Sequence, residues 1–171
     1  MVRVAPDPDM KPQEVANVIW AFETLGWEPG AETRAALETA VVRVGPDMDP
    51  QAASNAAWGF ATLGLMPGAE ARAALETAVV RVGPDMDPQA ASNAAWGFAT
   101  LGLMPGAEAR AALETAVVRV GPDMKPQAAS NVAWSFATLG LMPGAEARAA
   151  LETAVVRVGP DMTAQNVSNT L

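Results

Sequence analysis

Arg43-Val44-Gly45-Pro46-Asp47-Met48-Asp49-Pro50-Gln51-Ala52-Ala53-Ser54-Asn55-Ala56-Ala57-Trp58-Gly59-Phe60-Ala61-Thr62-Leu63-Gly64 opens a stretch, 43–80, that is repeated without change at 81–118. The step from Arg43 to Arg81 is 38 residues, and the same step leads on to Arg119 and Arg157. Residues 119–156 differ from the preceding copy at three places: Lys125 stands for Asp87, Val132 for Ala94 and Ser135 for Gly97. Residues 3–42 are a diverged first copy with two extra residues near Pro6 and Pro8, and residues 157–171 begin a fifth. Such identity reflects recent duplication or deliberate design. Diverged ends are what a repeat array needs, because its terminal faces meet water.

Punctuation inside a copy marks two helices. Asp49-Pro50 reads as an N-cap followed by a first-turn proline, and Gly64 as a C-terminal stop, so a first helix runs from Pro50 to Leu63. Pro67-Gly68 is a tight link. A second helix runs from Ala69 to Val82 and ends at Gly83-Pro84. Each helix is ~21 Å long. A lone pair of this size cannot hide its apolar faces, so the copies must stack. The expected fold is all-α: one α-solenoid domain over residues 1–171, with repeats 3–42, 43–80, 81–118 and 119–156 and a partial capping repeat 157–171.

The second helix places Ala71, Ala74, Leu75, Ala78, Val79 and Val82 on one stripe, with Arg72 and Glu76 off it as an exposed i,i+4 pair. On the first helix, Ala53, Ala56, Ala57, Phe60 and Leu63 form the main apolar side. A second side carries Gln51, Asn55, Trp58 and Thr62.

Composition excludes several function classes. The chain has no Cys, His or Tyr, which removes thiolate chemistry, Cys-based zinc sites and the commonest general base and metal ligand. No enzyme activity, cofactor or metal is expected. No run of 18 apolar residues is present, so no membrane span is expected. Met1–Asp7 resembles neither a secretory signal nor an Arg- and Ser-rich transit peptide, which points to a soluble intracellular protein. With 11 Lys and Arg against 19 Asp and Glu, the net charge is −8. A charge of that sign repels bulk nucleic acid.

The pattern Asp-Pro-Gln-x3-Asn-x2-Trp-x-Phe-Ala-Thr-Leu-Gly resembles the octotricopeptide repeat, a 38-residue helix pair of algal organelle proteins. The resemblance is clearest at Lys11-Pro12-Gln13-Glu14-Val15-Ala16-Asn17-Val18-Ile19-Trp20-Ala21-Phe22, and it returns at Gln165–Leu171. It implies a relative of the pentatricopeptide and tetratricopeptide repeats, a right-handed superhelix, single-stranded RNA as partner and an organelle as location.

Helical-repeat readers recognise one base per repeat with two or three side chains. The rows Asn17, Asn55, Asn93, Asn131 and Gln13, Gln51, Gln89, Gln127 are the candidate RNA-binding positions, because a carboxamide both donates and accepts at a base edge. The competing reading is that they satisfy backbone groups of the adjoining turn or repeat. One slot before the first helix varies: Lys11, Asp49, Asp87, Lys125, Thr163. Lys11 and Lys125 could touch phosphate, whereas Asp there caps the helix. Ser54, Ser92, Ser130 and Ser168 lie beside the Asn row as further hydroxyls.

Trp20, Trp58, Trp96 and Trp134 are expected to pack between neighbouring repeats, and Trp27 to belong to an end cap. The Arg rows, at 34, 72, 110, 148 and at 43, 81, 119, 157, are expected to neutralise nearby acids. The alternative to RNA is a scaffold solenoid that captures a peptide or protein. End-to-end self-association through the incomplete C-terminal repeat is also expected.

Overall fold

A computed structural model of the chain describes residues 10–170. The two extra residues near Pro6 and Pro8 lie outside the described residues. Nine α-helices and no strand are present among the described residues: α1 (Pro12–Thr24), α2 (Ala31–Val44), α3 (Pro50–Thr62), α4 (Ala69–Val82), α5 (Pro88–Thr100), α6 (Ala107–Val120), α7 (Pro126–Thr138), α8 (Ala145–Val158) and α9 (Ala164–Thr170). The odd-numbered helices pack on one another in sequence order as one layer, and α2, α4, α6 and α8 form a second layer behind them. The chain is therefore an all-α solenoid of stacked helical hairpins.

Local chemistry explains the helix ends. The Asp49 carboxylate accepts the Ala52 N–H at 2.7 Å, and Asp87 does the same for Ala90. Gly64 has φ +62°, a left-handed conformation that only glycine takes freely. With the chain so turned, the Leu65 N–H reaches the Phe60 carbonyl at 2.9 Å and the Gly64 N–H reaches Ala61 at 3.0 Å. This is the doubly bonded helix ending in which a hydrophobic residue folds back, and Leu65 and Phe60 are both buried.

Gly83 follows the end of α4 at Val82, as the sequence expects, and has a second role. Its φ is −49°, and the chain continues into a 3-10 turn, Gly83–Asp85. A Cβ there would stand 3.0 Å from the Cβ of Ala112 in α6, so glycine lets the turn of one repeat press on the next. Gly45 and Gly121 meet Ala74 and Ala150 in the same manner.

The core lies between the layers, where Ile19, Val41, Met48, Phe60, Leu75, Val79, Met86 and Phe98 are almost fully buried. Burying each such side chain stabilises by about 1.5–3 kcal/mol. Neighbouring odd-numbered helices pack more extensively than neighbouring even-numbered ones. Small residues permit this: a Cβ on Gly97 would lie 2.8 Å from the Ala57 backbone, so α3 and α5 approach to near backbone contact.

Arginine and glutamate stitch the second layer. Glu76 accepts from Arg72 Nε at 2.9 Å with one oxygen, and from the Gly106 N–H at 3.2 Å with the other. Gly106 begins α6 and has no side-chain cap of its own, so the preceding repeat supplies one. Arg72 also donates to the Met104 carbonyl at 2.6 Å. Glu38 and Glu114 hold Gly68 and Gly144 likewise, each at 3.0 Å. Arg72 pairs with Glu76 and Arg110 with Glu114, as the sequence expects, but both pairs are part-buried and not exposed.

The other arginine row departs from it. Arg43 donates to the Met10 carbonyl at 3.0 Å, and Arg81, Arg119 and Arg157 donate to the carbonyls of Met48, Met86 and Met124. These arginines join one repeat to the previous one through backbone oxygen, not through acids.

Candidate functional site

The second side of the odd-numbered helices forms one face. Along it Gln51, Gln89 and Gln127 are exposed, and Asn55, Asn93 and Asn131 are half-buried. The spacing of four places each Gln one turn before its Asn, and at the ends the two bond directly. Gln13 Nε2 donates to Asn17 Oδ1 at 3.1 Å, and Gln165 to Asn169 at 2.9 Å. The side chains of Asn55, Asn93 and Asn131 make no hydrogen bond to backbone of the adjoining turn or repeat among the described residues.

Between the first turns of α3 and α5 the face sinks into a cleft of about 300 Å³. Gln51, Asn55, Gln89 and Asn93 line it together with Asp49, Asp85 and Asp87. Two of these aspartates are the helix caps described above. The site thus has carboxamides that can read donor and acceptor patterns, set among carboxylates that favour a positive group. At the equivalent seam between α5 and α7, Lys125 replaces Asp87. It is exposed and makes no cap. Lys11 is likewise exposed, and its backbone N–H is held by Glu14 at 2.8 Å.

Of the serine row only Ser168, in α9, is exposed. Ser54, Ser92 and Ser130 are buried, and Ser54 and Ser130 donate back to the Gln51 and Gln127 carbonyls at 3.1 and 3.0 Å. They sit one step toward the neighbouring helix, where a small group able to bond its own turn is required.

The tryptophans meet across neighbouring repeats, as expected, but stay open on one side. Trp58 and Trp96 have ring centroids 6.2 Å apart, and Trp96 and Trp134 6.5 Å, tilted by 37° and 31°. They lie on one another as a ladder, half-buried instead of enclosed between repeats, and Trp20 is 54% exposed. Trp27 packs on Phe22 at 5.2 Å and remains exposed, at the first hairpin as expected of an end residue. Periodicity had put Trp58 on the side of Gln51 and Asn55, and that was the signal for an accessible aromatic row.

Few cations serve the face. The arginines at 43, 81, 119 and 157 are bound to methionine carbonyls, and those at 34, 72 and 110 pair with Glu28, Glu76 and Glu114. Lys11 and Lys125 are its only lysines. No group of three or more acidic, His or Cys side chains among the described residues is placed to hold a metal ion. No helix among them is long and apolar enough to cross a membrane. No protein-family model matches the sequence, and no curated protein does.

Proposed function

We propose that the chain is a helical-repeat binding module that holds single-stranded RNA along its odd-numbered helices, as the resemblance to octotricopeptide repeats implies. The observation that carries this reading is the partly exposed tryptophan ladder in register with the Gln and Asn rows. Bases have π-faces and hydrogen-bonding edges, and this face offers a partner for each. Stacking on an aromatic side chain contributes ~1–3 kcal/mol per base. Asn55, Asn93 and Asn131 are the edge-reading groups, and Gln51, Gln89 and Gln127 support them. Lys11 and Lys125 meet phosphate at two points separated by two acidic copies.

Such a site binds through stacking and edges more than through charge. A single strand loses about 0.7 log units of affinity per decade of salt for each phosphate neutralised. With two lysines on the face, raising salt from 50 to 200 mM costs less than about tenfold. A labelled random single-stranded RNA pool titrated by fluorescence anisotropy at both salts checks this. Saturable binding with that shallow slope supports the proposal, and no binding at low salt removes it.

The three aspartates of the cleft favour a second reading, a scaffold that captures a basic peptide. In that case a labelled arginine-rich peptide binds, RNA does not, and Asp87→Asn weakens the peptide.

A further inference from the structure

The links between odd-numbered and even-numbered helices hold one apolar side chain outside the fold. In Leu65-Met66-Pro67 and Leu103-Met104-Pro105 the leucine and the proline are buried, whereas Met66 is 59% exposed and Met104 48%. Met142, in the same place of the next link, is 69% exposed. The preceding repeat pins these links. Glu38, Glu76 and Glu114 accept the N–H two residues after each methionine, and Arg72 and Arg110 donate to the Met104 and Met142 carbonyls. The methionine backbone is thus fixed while its thioether faces water. The fold does not require an apolar side chain there, because Glu28 holds the same slot in the first repeat, 38 residues before Met66. An apolar group left in water at a slot that accepts a charge is surface available to a partner.

Four residues after each methionine stands a carboxylate: Glu70, Glu108 and Glu146, in the first turns of α4, α6 and α8. All three are exposed and enter no ion pair among the described residues. The nearby Arg72 and Arg110 are engaged by Glu76 and Glu114 and by methionine carbonyls. Arg148, exposed on α8, makes the Met142 end the least acidic. The edge therefore presents a polarisable apolar group and a negative charge at each of these links, in register. It lies about 20 Å along α3 from the capping aspartates of the cleft, and so is a second surface.

We infer that this edge docks a basic amphipathic helix of another protein. Neighbouring helices of one layer stand ~8–10 Å apart. Seven residues of an α-helix rise about 10.5 Å. A helix laid along the edge with an apolar residue at every seventh position sets one against each methionine. Lysines or arginines beside those positions meet Glu70 and Glu108. The unbranched thioethers adapt to the side chain they receive.

Fluorescence anisotropy on the full chain tests the docking with two labelled peptides. One is a helix-forming peptide with leucine at every seventh position, flanking lysines and alanine elsewhere. The other has the same composition in scrambled order. The ordered peptide is expected to bind saturably at low salt, and the scrambled one much more weakly. Met66→Gln, Met104→Gln and Met142→Gln together remove the apolar anchors and keep the charge. They are expected to weaken the ordered peptide by at least about tenfold and to leave the thermal melt unchanged. Glu70→Gln with Glu108→Gln is expected to weaken it about two- to fivefold and to flatten its salt dependence. Asp87→Asn, in the cleft, is expected to change nothing. No binding of the ordered peptide at low salt, equal affinity for the scrambled one, or full affinity in the triple methionine variant overturns the inference. So does a loss on Asp87→Asn in place of the methionine effect, which assigns the basic peptide to the cleft.

Discussion

The seam between α3 and α5 and the seam between α5 and α7 share one helix, α5, and differ by three residues on the outer one. At the first seam Gly97 lies against the Ala57 backbone and Asp87 caps α5. At the second, Ser135 occupies the glycine's place and donates to its own helix, to the Asn131 carbonyl at 2.6 Å, while Lys125 leaves α7 without a side-chain cap. Ala95, Ser135, Phe136 and Leu139 border a small gap there. The α3–α5 packing is the more extensive of the two. The closer approach of α3 and α5 thus goes with a glycine at the contact, and one capping residue sets the charge beside the candidate face.

The largest expected effect that separates the seams is in the core. Phe98→Ala removes a ring that is 2% exposed and is expected to cost about 3–5 kcal/mol in chemical denaturation. Phe136→Ala, beside the looser seam and 7% exposed, is expected to cost less. Equal losses would show that the two seams are packed alike. Next in size is the exchange at the close approach. Gly97→Ser forces a Cβ against backbone and is expected to destabilise by about 1–3 kcal/mol. Ser135→Gly is expected to cost less than about 1 kcal/mol, through helix propensity and one lost hydrogen bond. Smaller again is the cap. Asp87→Ala is expected to cost about 1 kcal/mol, and Lys125→Ala close to nothing, because Lys125 caps nothing. Thermal melts of the two variants make that comparison directly.

Much of the fold was legible because its signals are local. Asp49 before Pro50, and Gly64 after Leu63, mark helix ends through bonds made within a few residues, and both ends fall where the sequence puts them. The 38-residue step then requires stacking. The rest depends on groups that a sequence does not spell out. Arg81 binds the backbone oxygen of Met48, and a carbonyl carries no letter, so an acidic partner was the natural expectation. Gly83 before Pro84 marks the end of α4 as read, and only the approach of Ala112 shows its second use. On the candidate face, periodicity grouped Gln51, Asn55 and Trp58 correctly. Whether Trp58 would be enclosed or form an open ladder depended on Trp96, a full repeat away. Ser54 lies beside Asn55 in sequence but turns into the seam, because neighbouring helical positions differ by about 100°.

The most direct test of the reading face is the triple variant Asn55→Ala, Asn93→Ala and Asn131→Ala, titrated with the labelled RNA pool beside the unaltered chain after circular dichroism confirms an unchanged helix content and melt. If these carboxamides read base edges, affinity falls by at least about tenfold, the equivalent of 1.4 kcal/mol over three repeats. Unchanged RNA affinity in the folded variant contradicts the account, because the half-buried amides would then have no part in holding the strand.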